Sequence, residues 1–262
     1  MLHPAFMALR ASITGALLLF SLSAFAFNCP ADRIDEQVRV VSVADGDTLR
    51  LADDRRVRII GINTPELSHD GRPAEPLAQE ARDFLQKLIR ASDNRVGLRL
   101  GDEGHDRHGR VLAHVFLDNG SSVEAQILNQ GLATRVAIPP NVWGQDCFAE
   151  AEREARQAGR GIWALPAYRT PVDSRNLPSD VTGYILLQGR VEKVGGSRHA
   201  QWINLEGGVA LKIDHDLMPY FASMDLKKLQ GKRIEARGWL TRPGGKSPRI
   251  RLTHPTMLRI LD

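Results

Sequence analysis

The chain has 262 residues, of which 42% are hydrophobic and 25% are charged. This composition is typical of folded, soluble proteins rather than of disordered or fibrous ones, and the length accommodates two small domains or one large one. The formal net charge of +4 favours acidic partners only weakly, so the distribution of charge along the chain is more informative than its total.

The first 26 residues have the pattern of a secretory signal. Arg10 precedes the apolar stretch ASITGALLLFSLSAFA, which ends at Ala-Phe-Ala. We expect cleavage after Ala26, which would place the mature protein in the periplasm or outside the cell. The alternative is an N-terminal membrane anchor, although the apolar stretch is short for a span of about 20 residues. No other segment is expected to cross a membrane.

Two cysteines, Cys29 and Cys147, follow the predicted cleavage point. In an oxidising compartment a single pair is a candidate disulfide, and the alternative is two free thiols. Neither cysteine has the close Cys or His spacing of a zinc site.

The pattern of residues in the N-terminal half of the chain predicts a small β-barrel with helices. Residues 38–62 alternate in β fashion, which indicates three strands with turns at Asp45-Gly46 and Asp53-Asp54. The helical spacing of apolar residues predicts a helix over 76–89, and strands are expected over 95–100 and 109–117. Two more helices are predicted over 122–131 and 149–163. This order of elements predicts a mainly β fold of the α+β class, a β-barrel with packed helices.

Residues 166–180 contain three prolines with polar neighbours and are interpreted as a linker. Beyond residue 181 the chain is mostly β, with strands expected over 183–194, 201–213, 232–243 and 248–261 and a helical piece over 218–231. This pattern is compatible with a second small barrel of the OB type.

Basic charge is concentrated in the C-terminal part. Residues 27–171 hold 19 Lys and Arg against 22 Asp and Glu, whereas residues 172–262 hold 15 against 9. The C-terminal part also contains Trp202, Trp239, Tyr184 and Tyr220. It is therefore a candidate platform for single-stranded nucleic acid, and the alternative is that these aromatic rings belong to its core.

Three short segments carry polar groups suited to phosphodiester chemistry: ADGDTLRL (44–51), RIIGINTPE (58–66) and DRHGR (106–110). Each alone is explained as a turn or a strand end. Arginine pairs with phosphate oxygens through two parallel hydrogen bonds, and a hard cation held by carboxylate and carbonyl oxygens stabilises the same charge. A glutamate beside such a cation can orient or deprotonate water.

Together and in this order, the three segments resemble the thermonuclease family, whose members contain the staphylococcal-nuclease-like domain. The resemblance runs from about Val38 to Leu165 and includes GLAT (131–134) and the helix ending in GIW (161–163). It implies an OB-like five-stranded barrel with three helices and calcium-dependent hydrolysis of DNA and RNA that leaves 3′-phosphates. With it, the predicted domains are a thermonuclease-like domain over 27–165, the linker over 166–180 and an OB-like accessory domain over 181–262.

The resemblance implies a single calcium ion held by Asp47, Asn63 and the backbone carbonyl of Thr64. Asn63 is neutral where well-known members have a carboxylate, so we expect weaker metal binding or a changed preference among hard cations. Asp45 is interpreted as a turn residue, and the alternative is an acid that enriches the metal site. The histidines of this half form no expected ligand cluster: His69, His105, His108 and His114.

The resemblance also implies the residues that act on the phosphodiester. Glu66 would deprotonate or position the attacking water, and Arg58 and Arg110 would clamp the phosphate and stabilise the transition state. The tyrosines that hold the base in well-known members have no evident match, because the segment after GLAT reads RVAIPPN. His108 lies where an aromatic ring would help and is a candidate substrate contact.

These residues predict a secreted or periplasmic nuclease that acts on DNA, RNA or both as a monomer, without a stable protein partner. The alternative on the same fold is a nucleic-acid-binding protein with a weak or inactive site, which Asn63 and the missing tyrosines motivate. A third interpretation is a periplasmic OB protein with a ligand other than nucleic acid. Catalysis is favoured because Arg58, Glu66 and Arg110 are all present.

Overall fold

The computed structural model describes residues 29–68, 71, 73–244 and 247–262. The predicted signal sequence, with its cleavage after Ala26, lies outside the described residues, as does His69. Within the described ranges, none of the helices combines the length and apolar character needed to span a membrane.

The N-terminal barrel is built from β1 (Glu36–Asp45), β2 (Thr48–Leu51), β3 (Arg56–Ile59), β5 (Arg95–His105) and β6 (Val111–Phe116). These five strands close in the order β1-β2-β3-β6-β5. Alternation along β3 buries Val57 and Ile59 completely and leaves Arg58 on the outside of the barrel. The same periodicity that fills the core therefore puts this arginine on the outer surface.

A short strand pair lies outside the barrel. It consists of β4 (Ile62–Asn63) and β7 (Thr134–Arg135), which are antiparallel, with Asn63 opposite Thr134. The chain turns from β3 into β4 at Gly61, whose φ is +86°. A Cβ at this position would lie 2.9 Å from the Phe148 ring, so both the conformation and the space favour glycine.

Three helices pack on this barrel: α1 (Ala78–Ala91), α2 (Val123–Asn129) and α3 (Gln145–Gln157). The predicted barrel with three helices is thus confirmed. The third helix differs from the predicted range of 149–163, because it begins after Gly144 and ends before Gly159, both of which have positive φ. Residues Gly161–Ala164 form a separate 3₁₀ turn.

The predicted disulfide is present between Cys29 and Cys147, with their Cα atoms 5.9 Å apart. It ties the segment that precedes β1 to the first turn of α3. Cys29 is almost fully buried in the core of the N-terminal barrel.

The C-terminal part contains seven strands: β8 (Val172–Asp173), β9 (Gly183–Gly196), β10 (Ala200–Leu205), β11 (Ala210–Asp214), β12 (Arg233–Thr241), β13 (Arg249–Arg251) and β14 (Leu258–Ile260). Pairing of β12 with β9 closes a second barrel through β10, β11 and β13. The predicted second barrel is therefore confirmed, with its own core of buried aliphatic residues.

Three predicted elements of the second barrel were wrong in detail. Residues 201–213 form a hairpin rather than one strand, since Gly207 and Gly208 both adopt positive φ and turn the chain. Residues 248–261 are divided into β13 and β14 by a 3₁₀ turn at Pro255–Met257. The predicted helical piece is two 3₁₀ segments, His215–Phe221 and Leu226–Leu229.

The segment predicted as a linker contains secondary structure. It contains the short helix α4 (Pro166–Arg169), strand β8 and a 3₁₀ turn at Ser174–Asn176. Because β8 pairs in parallel with β9, this connection is part of the second sheet.

The two barrels are also in direct contact. Glu152 of α3 forms a buried ion pair with Arg237 of β12, and Arg156 of α3 pairs with Glu235. The Thr253 hydroxyl donates a hydrogen bond to the Ala137 carbonyl at 2.8 Å.

Candidate active site

Asp47 lies in the turn between β1 and β2, and its side chain is almost completely buried. Its Oδ1 accepts a hydrogen bond from the Thr48 hydroxyl at 3.2 Å, and its Oδ2 accepts one from the Thr64 amide at 3.3 Å. The Asp47 amide donates to Asp45 Oδ1 at 3.1 Å. This contact confirms the predicted turn role of Asp45, and it also brings the two carboxyl groups together.

The turn can approach Thr64 closely because residue 46 is glycine. A Cβ on Gly46 would lie 2.8 Å from the Thr64 Cβ and Oγ1 and from the Ala81 Cβ. Gly46 therefore permits the contact between the Asp-Gly-Asp turn and the segment that follows β4.

The carboxyl groups of Asp45 and Asp47 lie close together, which disfavours the ionisation of Asp47. Burial, opposed by Arg58 and reinforced by the neighbouring Asp45, raises the pKa of Asp47 to about 7. The fold therefore disfavours the ionised form of Asp47, and a cation bound beside it would stabilise the carboxylate.

The residues around this turn carry the donor types of a hard divalent cation. Asp47 and the adjacent Asp45 each carry a carboxylate. Thr64, whose amide contacts Asp47, and its neighbour Asn63 carry carbonyl and amide oxygens, which calcium also accepts as ligands. Among the described residues, no three His, Cys, Asp or Glu side chains form a group that could hold a metal on their own. A cation here would therefore depend on neutral oxygen donors as well as on the carboxylates.

Arg58 is held at three points beside this turn. Its Nη2 pairs with Asp47 Oδ2 at 2.9 Å and donates to the Ile62 carbonyl at 3.1 Å, and its Nη1 donates to the Ile59 carbonyl. The side chain is 16% exposed, so these contacts fix the guanidinium in a largely buried position. Such a guanidinium is oriented before any substrate arrives.

Arg110 is held by the loop in which it lies. The Asp106 carboxylate accepts hydrogen bonds from the His108 and Arg110 amides, each at 2.9 Å, and from Arg110 Nε at 2.7 Å. Although burial opposes ionisation, these hydrogen bonds and the Arg110 charge lower the pKa of Asp106. Gly109, with φ +72°, completes the turn. The segment DRHGR thus contains both an arginine and the carboxylate that orients it.

The two arginines lie on the same outer face of the barrel. Strands β3 and β6 are parallel, with Arg58 beside Leu112 and Val57 beside Val111. Arg110 immediately precedes Val111, so it is two residues from Leu112 and has the same orientation as Arg58 by strand alternation. Segments that are about 50 residues apart in sequence are therefore brought to neighbouring strands of the barrel.

Asn63 and Thr64 are supported from behind by β7. The Thr134 hydroxyl donates to the Asn63 carbonyl at 3.4 Å, and Arg135 is opposite Ile62 in the strand pair. The Arg135 amide in turn donates to Glu152 Oε1 at 2.7 Å. The segment that carries two of the predicted metal ligands is therefore connected to α3 and, through Glu152, to the second barrel.

Glu66 has an exposed side chain and lies two residues beyond Thr64. Its amide donates to Glu75 Oε2 at 3.0 Å, and the Glu75 amide donates to the Glu66 carbonyl at 2.9 Å. These two contacts close the loop before α1 and fix the backbone of Glu66 at its base.

The predicted site residues are not all in contact with one another. Asp47 contacts both Arg58 and the Thr64 amide, and Asn63 immediately precedes Thr64. Arg110 precedes the strand that pairs with β3. His108 is exposed on the loop, where its ring contacts Arg107 Nε at 3.1 Å. His114 is buried against Glu124 at 2.9 Å and belongs to the core rather than to a site.

Sequence reasoning missed the residues that position the site. Asp106 could have been recognised, since an aspartate four residues before an arginine in a tight turn can bond both backbone and guanidinium. Glu152 and Arg237 have no such local signal, because they lie 85 residues apart in sequence.

Comparison with known proteins adds independent information. A family model described as "Staphylococcal nuclease homologue" matches residues 56–165. A thermonuclease of Staphylococcus hyicus is 30% identical over 133 residues, which are 50% of this chain and 77% of that protein. A thermonuclease of Staphylococcus intermedius is 33% identical over 131 residues, 49% of this chain and 76% of that protein. Endonuclease YncB of Bacillus subtilis is 32% identical over 131 residues, 48% of this chain and 61% of that protein.

Proposed function

The chain belongs to the thermonuclease family, and from this premise we propose that it is a metal-dependent nuclease that hydrolyses phosphodiester bonds of DNA, RNA or both. The observation that carries the proposal is the pair of oriented arginines on neighbouring strands: Asp47 holds Arg58, and Asp106 holds Arg110. A phosphodiester is an anion, and its hydrolysis concentrates negative charge on the phosphate oxygens. Two fixed guanidinium groups, together with carboxylates that can hold a cation, place positive charge where this negative charge develops.

Arg58 and Arg110 bind the scissile phosphate in this proposal. Because Asp47 and Asp106 already hold the two guanidinium groups, little side-chain entropy is lost when the phosphate binds. Negative charge builds up on the phosphate oxygens as the reaction proceeds. The hydrogen bonds from the two arginines to those oxygens then become stronger, which stabilises the transition state relative to the ground state.

Glu66 is proposed to take up or direct the proton of the attacking water. Its exposed side chain lies two residues beyond Thr64, near the predicted cation ligands in sequence, and its backbone is fixed through Glu75. A carboxylate at this point can accept a proton from water or orient the water toward phosphorus.

Calcium is the cation that we propose for Asp47, Asn63 and the Thr64 carbonyl. When bound, it would neutralise charge that develops on the phosphate oxygens. The neutral Asn63 lowers the charge of the ligand set by one unit relative to a carboxylate. We therefore propose weaker calcium binding than an aspartate at this position would confer.

Secretion to the periplasm or beyond is part of the proposal. The signal-like N-terminus supports it, and so does the disulfide between Cys29 and Cys147, since disulfides persist in oxidising compartments. We propose that the mature protein acts as a monomer on its nucleic-acid substrate.

The first test uses protein that lacks residues 1–26, incubated with single-stranded DNA and with RNA in the presence of calcium, magnesium or chelator. Calcium-dependent cutting is expected, and a Glu66→Gln, Arg110→Ala double variant should lose it. Arg107→Ala is the matched control, because Arg107 is an exposed arginine of the same loop and has no assigned role. If no metal supports cutting while tight, salt-sensitive binding remains, the protein is a nucleic-acid-binding protein instead.

A further inference from the structure

One outer face of the second barrel combines an aromatic ring with a row of cations. Register places Gly195 of β9 beside Trp202 of β10, Trp202 beside Lys212 of β11, and Lys212 beside Arg251 of β13. The adjacent row consists of residues that pack in the core: Val194, Ile203, Leu211 and Ile250. Because side chains alternate along a strand, the row that contains Trp202 faces outward.

A second outward row lies two residues further along the strands. It pairs Lys193 with Asn204, Asn204 with Ala210, and Ala210 with Arg249. The two rows therefore place four cations on one sheet face, while the C-terminal part as a whole holds 15 Lys and Arg against 9 Asp and Glu.

Asp214 orients two of these cations. Its Oδ1 pairs with Lys212 Nζ, and its Oδ2 accepts from Arg251 Nε at 2.5 Å. The Arg251 side chain remains 54% exposed, so its outer guanidinium edge stays accessible to solvent. After one carboxylate is counted against four cations, the face keeps an excess of positive charge.

Trp202 is partly exposed on this face. Its indole Nε1 donates to the Ser197 hydroxyl at 3.1 Å, which fixes the orientation of the ring. Gly195 beside it has no side chain, and a Cβ there would meet no atom within 4 Å. A planar group therefore has room to lie against the indole next to Lys212 and Arg251.

A cavity extends this face beyond the second row. It has a volume of about 620 Å³, and Glu192, Lys193, Asn204, Gln230 and Ser247 contribute polar groups to its lining. These side chains offer hydrogen-bond donors and acceptors that suit the edges of nucleobases. With Glu192 counted beside Asp214, the face and its cavity hold two carboxylates against four cations.

We propose that this surface, the Trp202 face, formed by Trp202, Lys212, Arg249 and Arg251 with Lys193 at its edge, binds single-stranded nucleic acid. A base stacks on Trp202, and the cations contact the phosphates on either side. Aromatic stacking combined with a positively charged groove is how proteins bind single strands without reading their sequence. The inference rests on the proposed nuclease function, because the ligand assigned to the second barrel is of the same class, nucleic acid, as the proposed substrate.

The test is fluorescence anisotropy with labelled oligothymidylate of 16 nucleotides, titrated with the full protein in chelator so that metal-dependent cutting does not interfere. Trp202→Ala should weaken binding roughly 5- to 150-fold, the loss expected for one stacked base, with the salt dependence unchanged. Arg249→Gln with Arg251→Gln should reduce the slope of log affinity against log salt by about 1.4, or about 0.7 for each phosphate contact. Trp202→Phe keeps an aromatic face and should retain most of the affinity.

A matched control lies on the same barrel. Lys227→Gln with Lys228→Gln removes the same amount of charge from the exposed 3₁₀ segment. This control should bind like the wild type, and an abasic strand of equal length should bind the wild type about as weakly as oligothymidylate binds Trp202→Ala.

Two results would overturn the proposal. One is equal affinity for abasic and thymidylate strands, which would exclude stacking. The other is an equal loss of affinity in the arginine and lysine double variants, which would show binding by net charge rather than by this face. Cutting of a dinucleotide substrate with calcium is measured in parallel. Absence of cutting alone would contradict the nuclease proposal and leave the binding result intact.

Discussion

The contact between the two barrels predicts that Arg237→Met destabilises the whole protein. Arg237 Nη1 donates to both carboxylate oxygens of Glu152, at 2.6 and 2.7 Å. The two side chains are 9% and 6% exposed. Burial disfavours the charged guanidinium, but Glu152 outweighs this cost and the pKa of Arg237 is raised. Methionine keeps most of the apolar stem and removes the charge, so the variant isolates the ion pair.

The expected loss follows from the charge that remains. Removing one partner of a buried pair costs about 3–5 kcal/mol, because the other charge stays buried without compensation. Glu152 keeps one hydrogen bond, from the Arg135 amide at 2.7 Å. We therefore expect the lower end of that range, about 3 kcal/mol, in the free energy of unfolding.

The assay is denaturant unfolding of the wild type, Arg237→Met and the double variant Arg237→Met, Glu152→Gln. The double variant should recover most of the loss, since it leaves no unpaired buried charge. Arg153→Ala is the control, because its ion pair with Glu150 is about half exposed on each side and should contribute nothing measurable. A single Arg237→Met variant within 1 kcal/mol of the wild type would refute this reasoning.

The same variant should also lower activity. Glu152 accepts from the Arg135 amide, and Arg135 lies in β7, which pairs with the strand that carries Asn63. Without the ion pair, β7 is less firmly held against the strand that carries Asn63. We therefore expect the calcium concentration for half-maximal cutting to rise several-fold, measured at a temperature where the variant is folded.

Three further predictions concern the N-terminal barrel. Gly46→Ala should cost about 1–3 kcal/mol of stability and most of the activity, since the new methyl group meets Thr64; an unchanged melting temperature would show that the turn adjusts. Asn63→Asp should lower the calcium concentration for half-maximal cutting, and an unchanged value would contradict the proposed role of the amide. Replacing Cys29 and Cys147 with serine should lower the free energy of unfolding by about 4–5 kcal/mol, because the disulfide joins residues 118 apart in sequence. A loss below 1 kcal/mol in denaturant unfolding would contradict that estimate.

The β-barrel architecture was predictable because it depends on local signals. Alternation along β1 to β3, helical spacing in α1 and glycines at turns are each read within a few residues. Strand boundaries in the second barrel were less predictable. The Gly207-Gly208 pair is itself a turn signal between two apolar runs, and the prediction of one strand over 201–213 passed over it.

The sequence by itself determined which chemistry is available: two arginines, a glutamate and oxygen donors, in the order typical of thermonucleases. Only the tertiary structure decided what holds them. The ion pair of Glu152 and Arg237 joins residues 85 apart, and no local pattern signals it. The alignment of Trp202 with Lys212 and Arg251 likewise depends on strand register. Register and domain contacts are set by the packing of the whole chain, which is why they cannot be read from any short segment.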